Sequence, residues 1–208
     1  MIKYDTIKEI CDKAEARGIK ISELCLEDQS EQMGLPKEEI YEMMEKNFDV
    51  MVDSVGKGGD KNLRSTSGLT GGEGATMLEY SQKAQGGLMG EFMTKAIGRA
   101  MCVSNCNAAM GRIVATPTAG SCGILPGCLV SMYQDKGYNK KDIVMSIFTA
   151  AAFGMVIAKQ ASIAGAEGGC QAECGSASGM AAASLVELMG GSPKACGDAL
   201  GMSLVNQM

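Results

Sequence analysis

The chain has 208 residues, 46% of them hydrophobic and 4% aromatic, and its formal net charge at pH 7 is −5. This length suffices for one domain with a sizeable core, and the absence of a basic stripe argues against nucleic-acid binding. The chain contains no His, which excludes Ser-His-Asp triads and zinc sites that need an imidazole.

Composition also predicts the fold class and the compartment. The core must consist mainly of Ala, Met, Leu, Ile, Val and Cys, and Ala, Leu and Met are good helix formers. No strong alternating strand pattern is present, so we expect a mainly α, helical domain with Gly-rich loops. Nine cysteines without an export signal indicate a reducing, cytoplasmic compartment. The longest apolar helical stretch, residues 143–158, is shorter than the ~20 residues that span a bilayer.

Helical spacing, caps and glycine stops predict most of the chain to be helical. The expected helices are residues 7–18, 21–31, 36–55, 75–84, 91–109, a helix that ends at 133, 140–163, one that ends at 189, and a last one that begins at 193. The helices within residues 1–55 are amphipathic with solvated charged faces. Residues 56–61 and 67–74 are predicted to be loops. The last helix has no stop signal before the chain ends, so we expect a C-terminal part to be missing from this sequence.

Two glycine-bearing loops, residues 67–74 and 116–123, each lead toward a predicted helix. The start of a helix presents unpaired N–H groups and a partial positive charge, which suit a carboxylate or a phosphate. Neither loop has the Gly-Lys-Ser/Thr ending of a phosphate-binding loop. Ordinary turns between helices are the alternative interpretation. Asn107, just before the second loop, has the same two interpretations: it binds a substrate, or it caps a turn.

Residues 165–183 bring two thiols, two carboxylates and five glycines together with almost no bulky side chain. A thiolate in such a segment can bind a soft metal or an iron–sulfur cluster; the alternative is a close helix contact lined by buried thiols. Glu167 and Glu173 flank Cys170 and would be bases or ligands of a water near a metal, or ordinary surface charges.

Cysteine spacing separates candidate ligands from structural thiols. Cys102 and Cys106 are four residues apart, as are Cys170 and Cys174, and such pairs share one face of a helix. Two thiolates do not complete a cluster, which takes three or four. We therefore interpret Cys102, Cys106 and Cys174 as structural thiols.

Five segments together resemble one known family, the alpha chains of bacterial iron–sulfur L-serine dehydratases. The segments are residues 67–72, 107–111, 115–121, 168–173 and 175–183. Their order and spacing agree with that family from about residue 53 to residue 208. The resemblance implies that residues 1–208 are a mostly helical catalytic domain that lacks its C-terminal part, with residues 1–55 as its N-terminal helices.

The resemblance also implies an activity, a cofactor and partners. Members of the family eliminate water from L-serine and give pyruvate and ammonia, with a 4Fe–4S cluster as the Lewis acid. Cys170 corresponds to the first of three cluster cysteines, and the other two would lie beyond residue 208. A separate beta chain is implied, whereas the general base and any association of identical copies stay open. The implied substrate-binding residues are Ser67, Gly68, Thr70, Asn107, Thr116, Thr118 and Gly120.

Two alternative functions remain at this point. The first is a helical binding or structural protein that has kept the fold and lost the cluster, and the second is a dehydratase of threonine or another 3-hydroxy amino acid.

Overall fold

The computed structural model describes residues 3–83 and 86–207, which contain α-helices and no β-strand. The expectation of a mainly α fold is therefore confirmed. The helices are α1 (Ile7–Arg17), α2 (Ile21–Met33), α3 (Lys37–Gly58), α4 (Glu73–Lys83), α5 (Gly90–Ala108), α6 (Ile124–Lys136), α7 (Lys140–Gln160), α8 (Gly165–Leu188) and α9 (Pro193–Val205), with a short 3-10 helix, Gly87–Met89, before α5.

Contacts between residues group the chain into two compact units. Unit 1 contains the residues up to Lys46 and those from Asn139 onward, and unit 2 contains Asn47–Tyr138. Helix α3 begins in unit 1 and ends in unit 2.

In unit 1, α8 packs on both α7 and α9, α2 packs on α7, and α1 packs on α9. The core includes Phe148 and Phe153, which are fully buried. The ends of the helices follow local signals in the sequence. Helix α1 begins with a capping box between Thr6 and Glu9. Helix α9 begins after Ser192, whose hydroxyl accepts a hydrogen bond from the backbone N–H of Ala195, as N-cap chemistry predicts.

In unit 2, α5 packs between α4 and α6, and glycines allow these helices to come close. A Cβ atom on Gly74 would lie 2.6 Å from Sγ of Cys102. A Cβ atom on Gly127 would lie 2.9 Å from the carbonyl oxygen of Ala96. The glycine content of this region therefore serves the helix crossings as well as the loops.

The prediction of a loop at residues 56–61 is wrong for residues 56–58, because α3 continues through Gly58. A Cβ atom on Gly58 would lie 1.7 Å from the carbonyl oxygen of Cys102. The glycine is thus required by a backbone contact inside a helix, and a sequence pattern cannot distinguish that role from a turn. Helix α7 ends at Gln160, three residues before its predicted end.

Helix α7 has 21 residues and is long and apolar enough to cross a membrane by length and composition alone. Within the structure, 61% of the most apolar 18-residue stretch of this helix is buried. Ile143, Phe148 and Phe153 all lie in the core, so α7 is the central buried helix of unit 1.

Candidate functional site

The first predicted substrate loop is a tight turn closed by its own hydrogen bonds. The backbone N–H of Ser65 donates to the carbonyl of Thr70 (2.8 Å), and that of Gly68 donates to the carbonyl of Ser65 (2.9 Å). Gly68 has φ 73°, a conformation that favours glycine. The hydroxyls of Ser65 and Ser67 are 3.1 Å apart. Ser67, Gly68 and Thr70 are all exposed, so the turn presents its hydroxyl groups to solvent.

The second loop contains the buried member of the predicted set. The hydroxyl of Ser121 donates to the carbonyl of Thr116 (3.2 Å) and lies 3.2 Å from the hydroxyl of Thr118. Thr116 is only 5% exposed, and its hydroxyl has no hydrogen-bond partner among the residues that the structure describes. Thr118 is half-buried and Gly120 is exposed. A buried hydroxyl without a partner is uncommon, because each such group loses the hydrogen bonds it had with water.

The C-terminal end of α5 joins the two loops. The backbone N–H of Thr66 donates to the carbonyl of Ala108 (3.2 Å). One residue earlier, the side-chain amide of Asn107 donates to the carbonyl of Ala119 (3.1 Å). The structure therefore brings together the three segments that contain the seven predicted substrate-binding residues. Asn107 holds the second loop through its side chain, which includes the turn-binding role that the sequence also allowed.

Sequence reasoning did not identify Glu73 and Asn105, which close the first loop against α4 and α5. The carboxylate of Glu73 accepts hydrogen bonds from the backbone N–H of Gly71 (2.8 Å) and from the side-chain amide of Asn105 (2.7 Å). The carbonyl oxygen of the Asn105 side chain accepts from the backbone N–H of Gly74 (3.1 Å). The hydrogen bond from the Gly71 N–H has the largest effect on Glu73 and lowers the pKa of its carboxylate below the usual value. The hydrogen bond from Asn105 lowers this pKa further.

The sequence predicted that the start of α4 would suit a carboxylate or a phosphate of a ligand, but a side chain of the protein lies there. The carboxylate of Glu73 already occupies the positive end of that helix, where the sequence suggested room for a substrate anion. An acidic residue at the first position of a helix is the sequence signal that could have indicated it. A groove of about 610 Å³ beside Gly71 and Glu73 has Met101 in its wall, and none of the seven predicted residues lines it.

The predicted metal ligand, Cys170, lies at a break in α8. Gly169 has φ 75° and ψ 177°, so the helix is interrupted there and a second helical stretch begins at Cys170. The Cys170 side chain is exposed, and its Sγ lies 3.7 Å from Sγ of Cys174. Burial and the hydrogen bond with Cys170 raise the pKa of the Cys174 thiol. An exposed thiol does not fit the alternative of a helix contact lined by buried cysteines.

The carboxylates around Cys170 and the remaining thiols have ordinary surroundings. Glu167 is exposed and accepts a hydrogen bond from the hydroxyl of Ser162 (2.6 Å), while Glu173 is half-buried. Cys102 and Cys106 are buried in unit 2. Desolvation raises the pKa of Cys102 to about 11 and raises that of Cys106 as well. Burial of this kind fits the prediction that both are structural thiols.

The described residues do not supply a complete cluster site. Within residues 3–83 and 86–207, no group of three or more Cys, His, Asp or Glu side chains is placed to hold a metal ion. An iron–sulfur cluster takes three or four thiolates. The described part of the chain offers one exposed thiol, Cys170, with a second thiol beside it. Cys170 belongs to unit 1, whereas the seven predicted substrate-binding residues belong to unit 2.

Comparison with known proteins gives a consistent result. Residues 16–208 match the family model of the serine dehydratase alpha chain. The chain is 40% identical over 187 residues to the probable L-serine dehydratase alpha chain of Bacillus subtilis, covering 90% of this chain and 62% of that protein. It is 39% identical over 202 residues to the L-serine dehydratase alpha chain of Peptoniphilus asaccharolyticus, covering 97% and 69%. It is 34% identical over 193 residues to the L-serine dehydratase of Streptomyces coelicolor, covering 91% and 42%. The chain therefore spans about two thirds of the first two relatives and less than half of the third.

Proposed function

Because the chain belongs to the serine dehydratase alpha chain family, we propose that it takes part in the elimination of water from L-serine, which gives pyruvate and ammonia. The relatives are named as L-serine dehydratases or their alpha chains. The observation that carries the proposal is the end of α5, which holds both candidate substrate loops through Asn107 and Ala108. Hydroxyl-rich loops fixed to one helix end suit a small substrate that carries a carboxylate and an amine.

We assign substrate binding to the loops of unit 2. The hydroxyl of Thr116 is buried and has no hydrogen-bond partner among the described residues, so a substrate that displaces the atoms covering it would find a free donor and acceptor. Asn107 positions this loop through the carbonyl of Ala119. Ser67 and Thr70 present hydroxyls on the neighbouring turn, and Gly68, Thr118 and Gly120 belong to the same two segments. The general base of the reaction is not assigned to any of these residues.

We further propose that Cys170 is one ligand of a 4Fe–4S cluster. When bound, such a cluster with one open iron supplies a Lewis acid for the leaving hydroxyl group. The support from this chain is the exposure of the Cys170 thiol. The other thiolates of the cluster would come from outside the described residues, since these contain no group of three ligands.

The proposed setting of the protein follows from its relatives and its cysteines. The name alpha chain, which two of the relatives carry, supports a separate beta chain as partner. We also propose that residues 1–208 are part of the catalytic domain, of which residues 1–55 are the first helices. All nine cysteines are free thiols, which supports a reducing, cytoplasmic location.

The substitution Thr116→Val tests the substrate site. Valine has nearly the shape of threonine, and the lost hydroxyl has no partner among the described residues, so we expect the stability to be unchanged or higher. A lost hydrogen bond to a charged substrate group costs about 1.5–3 kcal/mol, which corresponds to a rise in KM for L-serine of roughly 10- to 150-fold. The assay is anaerobic pyruvate release by the full-length alpha chain combined with its beta chain and with iron and sulfide.

Thr94→Val is the matched control. The Thr94 side chain is also buried in unit 2, but its hydroxyl donates to the carbonyls of Gly86 (2.8 Å) and Gly90 (2.9 Å). We expect this variant to lose stability and to keep its KM. An unchanged KM in Thr116→Val would remove this threonine from the substrate site. Faster turnover of threonine than of serine would favour the alternative 3-hydroxy amino acid dehydratase, and absence of any turnover would favour the binding or structural protein.

A further inference from the structure

The exposed thiol of α8 and a half-buried neighbour form a pair that the proposed function does not use as a pair. Cys170 is exposed and Cys174 is half-buried, and their sulfur atoms are 3.7 Å apart on one face of α8. Seven further cysteines are free, and six of them are buried. A reagent or ion that seeks thiols therefore meets the Cys170–Cys174 pair first.

The distance between the two sulfur atoms fits one metal ion. Zinc–sulfur bonds are about 2.3 Å long, and two sulfur ligands of a tetrahedral ion at that distance are about 3.8 Å apart. The observed 3.7 Å matches this separation without movement of the helix. Residues four apart on a helix face the same side, so both thiolates can reach the same ion.

The break at Gly169 adds a favourable electrostatic setting. Because Gly169 is not helical, the helical stretch from Cys170 to Leu188 has its own N-terminal turn. That turn contains Cys170 and lies at the positive end of the helix dipole. The positive end stabilises the negative charge of a metal-bound Cys170 thiolate.

From this geometry we propose that the Cys170–Cys174 pair of the cluster-free chain is a chelating site for one soft metal ion, of the class of Zn²⁺, Cd²⁺ or Cu⁺. Both sulfurs bind as thiolates, and solvent or a small thiol completes the coordination. Soft ions prefer thiolate ligands, whereas Mg²⁺ and Ca²⁺ prefer oxygen. The site gives a ligand role to Cys174, which its spacing in the sequence indicated to be a structural thiol and which the proposed cluster does not need. It does not depend on the proposed reaction.

Titration of the reduced, iron-free chain with Cd²⁺ tests the proposal. The readouts are the ultraviolet charge-transfer absorbance of cadmium–thiolate bonds and the number of ions bound per chain, determined by native mass spectrometry. We expect one Cd²⁺ per wild-type chain. Cys170→Ser and Cys174→Ser should each lose the tight site, because each leaves a single thiolate, whereas Mg²⁺ should neither bind there nor displace Cd²⁺.

Cys128→Ser is the matched control, because Cys128 is a half-buried cysteine of unit 2. It should bind Cd²⁺ as the wild type does. Circular dichroism verifies that all three variants keep the helical content of the wild type. Full binding by Cys174→Ser, or loss of binding by Cys128→Ser, would overturn the proposal. Failure of the serine dehydratase assay would leave this result untouched, because the titration uses the chain without iron or substrate.

Discussion

Glu187 is a buried carboxylate whose removal should destabilise unit 1 strongly. The residue is only 3% exposed. It accepts hydrogen bonds from the backbone N–H groups of Ile21 (2.9 Å) and Ser22 (3.3 Å) and from the hydroxyl of Thr149 (2.7 Å). The residue before α2, Lys20, makes no side-chain cap. Glu187, which lies on α8, therefore caps the N-terminus of α2 and also accepts a hydrogen bond from α7.

The size of the effect follows from the donors that the change would leave without an acceptor. In Glu187→Ala, three buried donors lose the carboxylate, and each unsatisfied buried group costs about 1–3 kcal/mol. Because these costs are not fully additive, we expect a loss of about 3–5 kcal/mol in the free energy of unfolding. For a chain of this size that corresponds to a fall in Tm of roughly 6–20 °C. Glu187→Gln keeps the shape and one acceptor oxygen, so it should lose less.

Urea denaturation followed by circular dichroism measures this difference. Glu23→Ala is the matched control, since Glu23 serves the same helix start but is exposed and accepts one hydrogen bond, from the backbone N–H of Lys20 (3.0 Å). We expect the control to lose about 1 kcal/mol or less. If Glu187→Ala were no less stable than Glu23→Ala, capping of α2 by Glu187 would be refuted.

Two further substitutions test the break in α8 and an ion pair in unit 2. Gly169→Ala forces alanine into a backbone conformation almost confined to glycine and should cost about 1–3 kcal/mol. By contrast, Gly201→Ala, at an open helical position, should stabilise by about 0.5–1 kcal/mol; equal effects in thermal denaturation would contradict the break. The hydrogen bond from Arg99 lowers the pKa of Asp135 below its ordinary 3.8. This pair stabilises the fold above that pH and loses its effect as pH falls through the lower, folded-state pKa. Asp135→Asn should therefore be less stable at neutral pH, with a flatter decline in acid; an unchanged urea midpoint at both pH values would argue against the pair.

Local sequence signals predicted the parts of the fold that depend on neighbouring residues. The sequence predicted three helix ends, because each signal acts within one helical turn. These are the cap at Ser192, the helix start at Pro193 and the helix stop at Gly18. The fold class followed from a composition rich in helix formers and poor in aromatic residues. The loop segments of the candidate site were predicted from their hydroxyl and glycine content, and their order along the chain indicated the family.

Contacts between distant parts of the chain could not be predicted in this way. Glu187 and Ile21 are 166 residues apart, and nothing local marks either as the partner of the other. Gly58 looks like a turn residue until the backbone of Cys102 is placed against it. The lack of a partner for the Thr116 hydroxyl among the described residues depends on how the whole loop folds, since threonine hydroxyls usually find a partner.

Pyruvate formation from L-serine is the measurement that tests the central claim most directly. The full-length alpha chain is assembled anaerobically with its beta chain, iron and sulfide, and pyruvate release is followed together with the visible absorbance of the cluster. We expect serine-dependent pyruvate from the wild type and from Cys174→Ala, and the loss of both turnover and cluster absorbance in Cys170→Ala. Equal pyruvate release by Cys170→Ala, or by the wild-type assembly stripped of iron, would contradict the account.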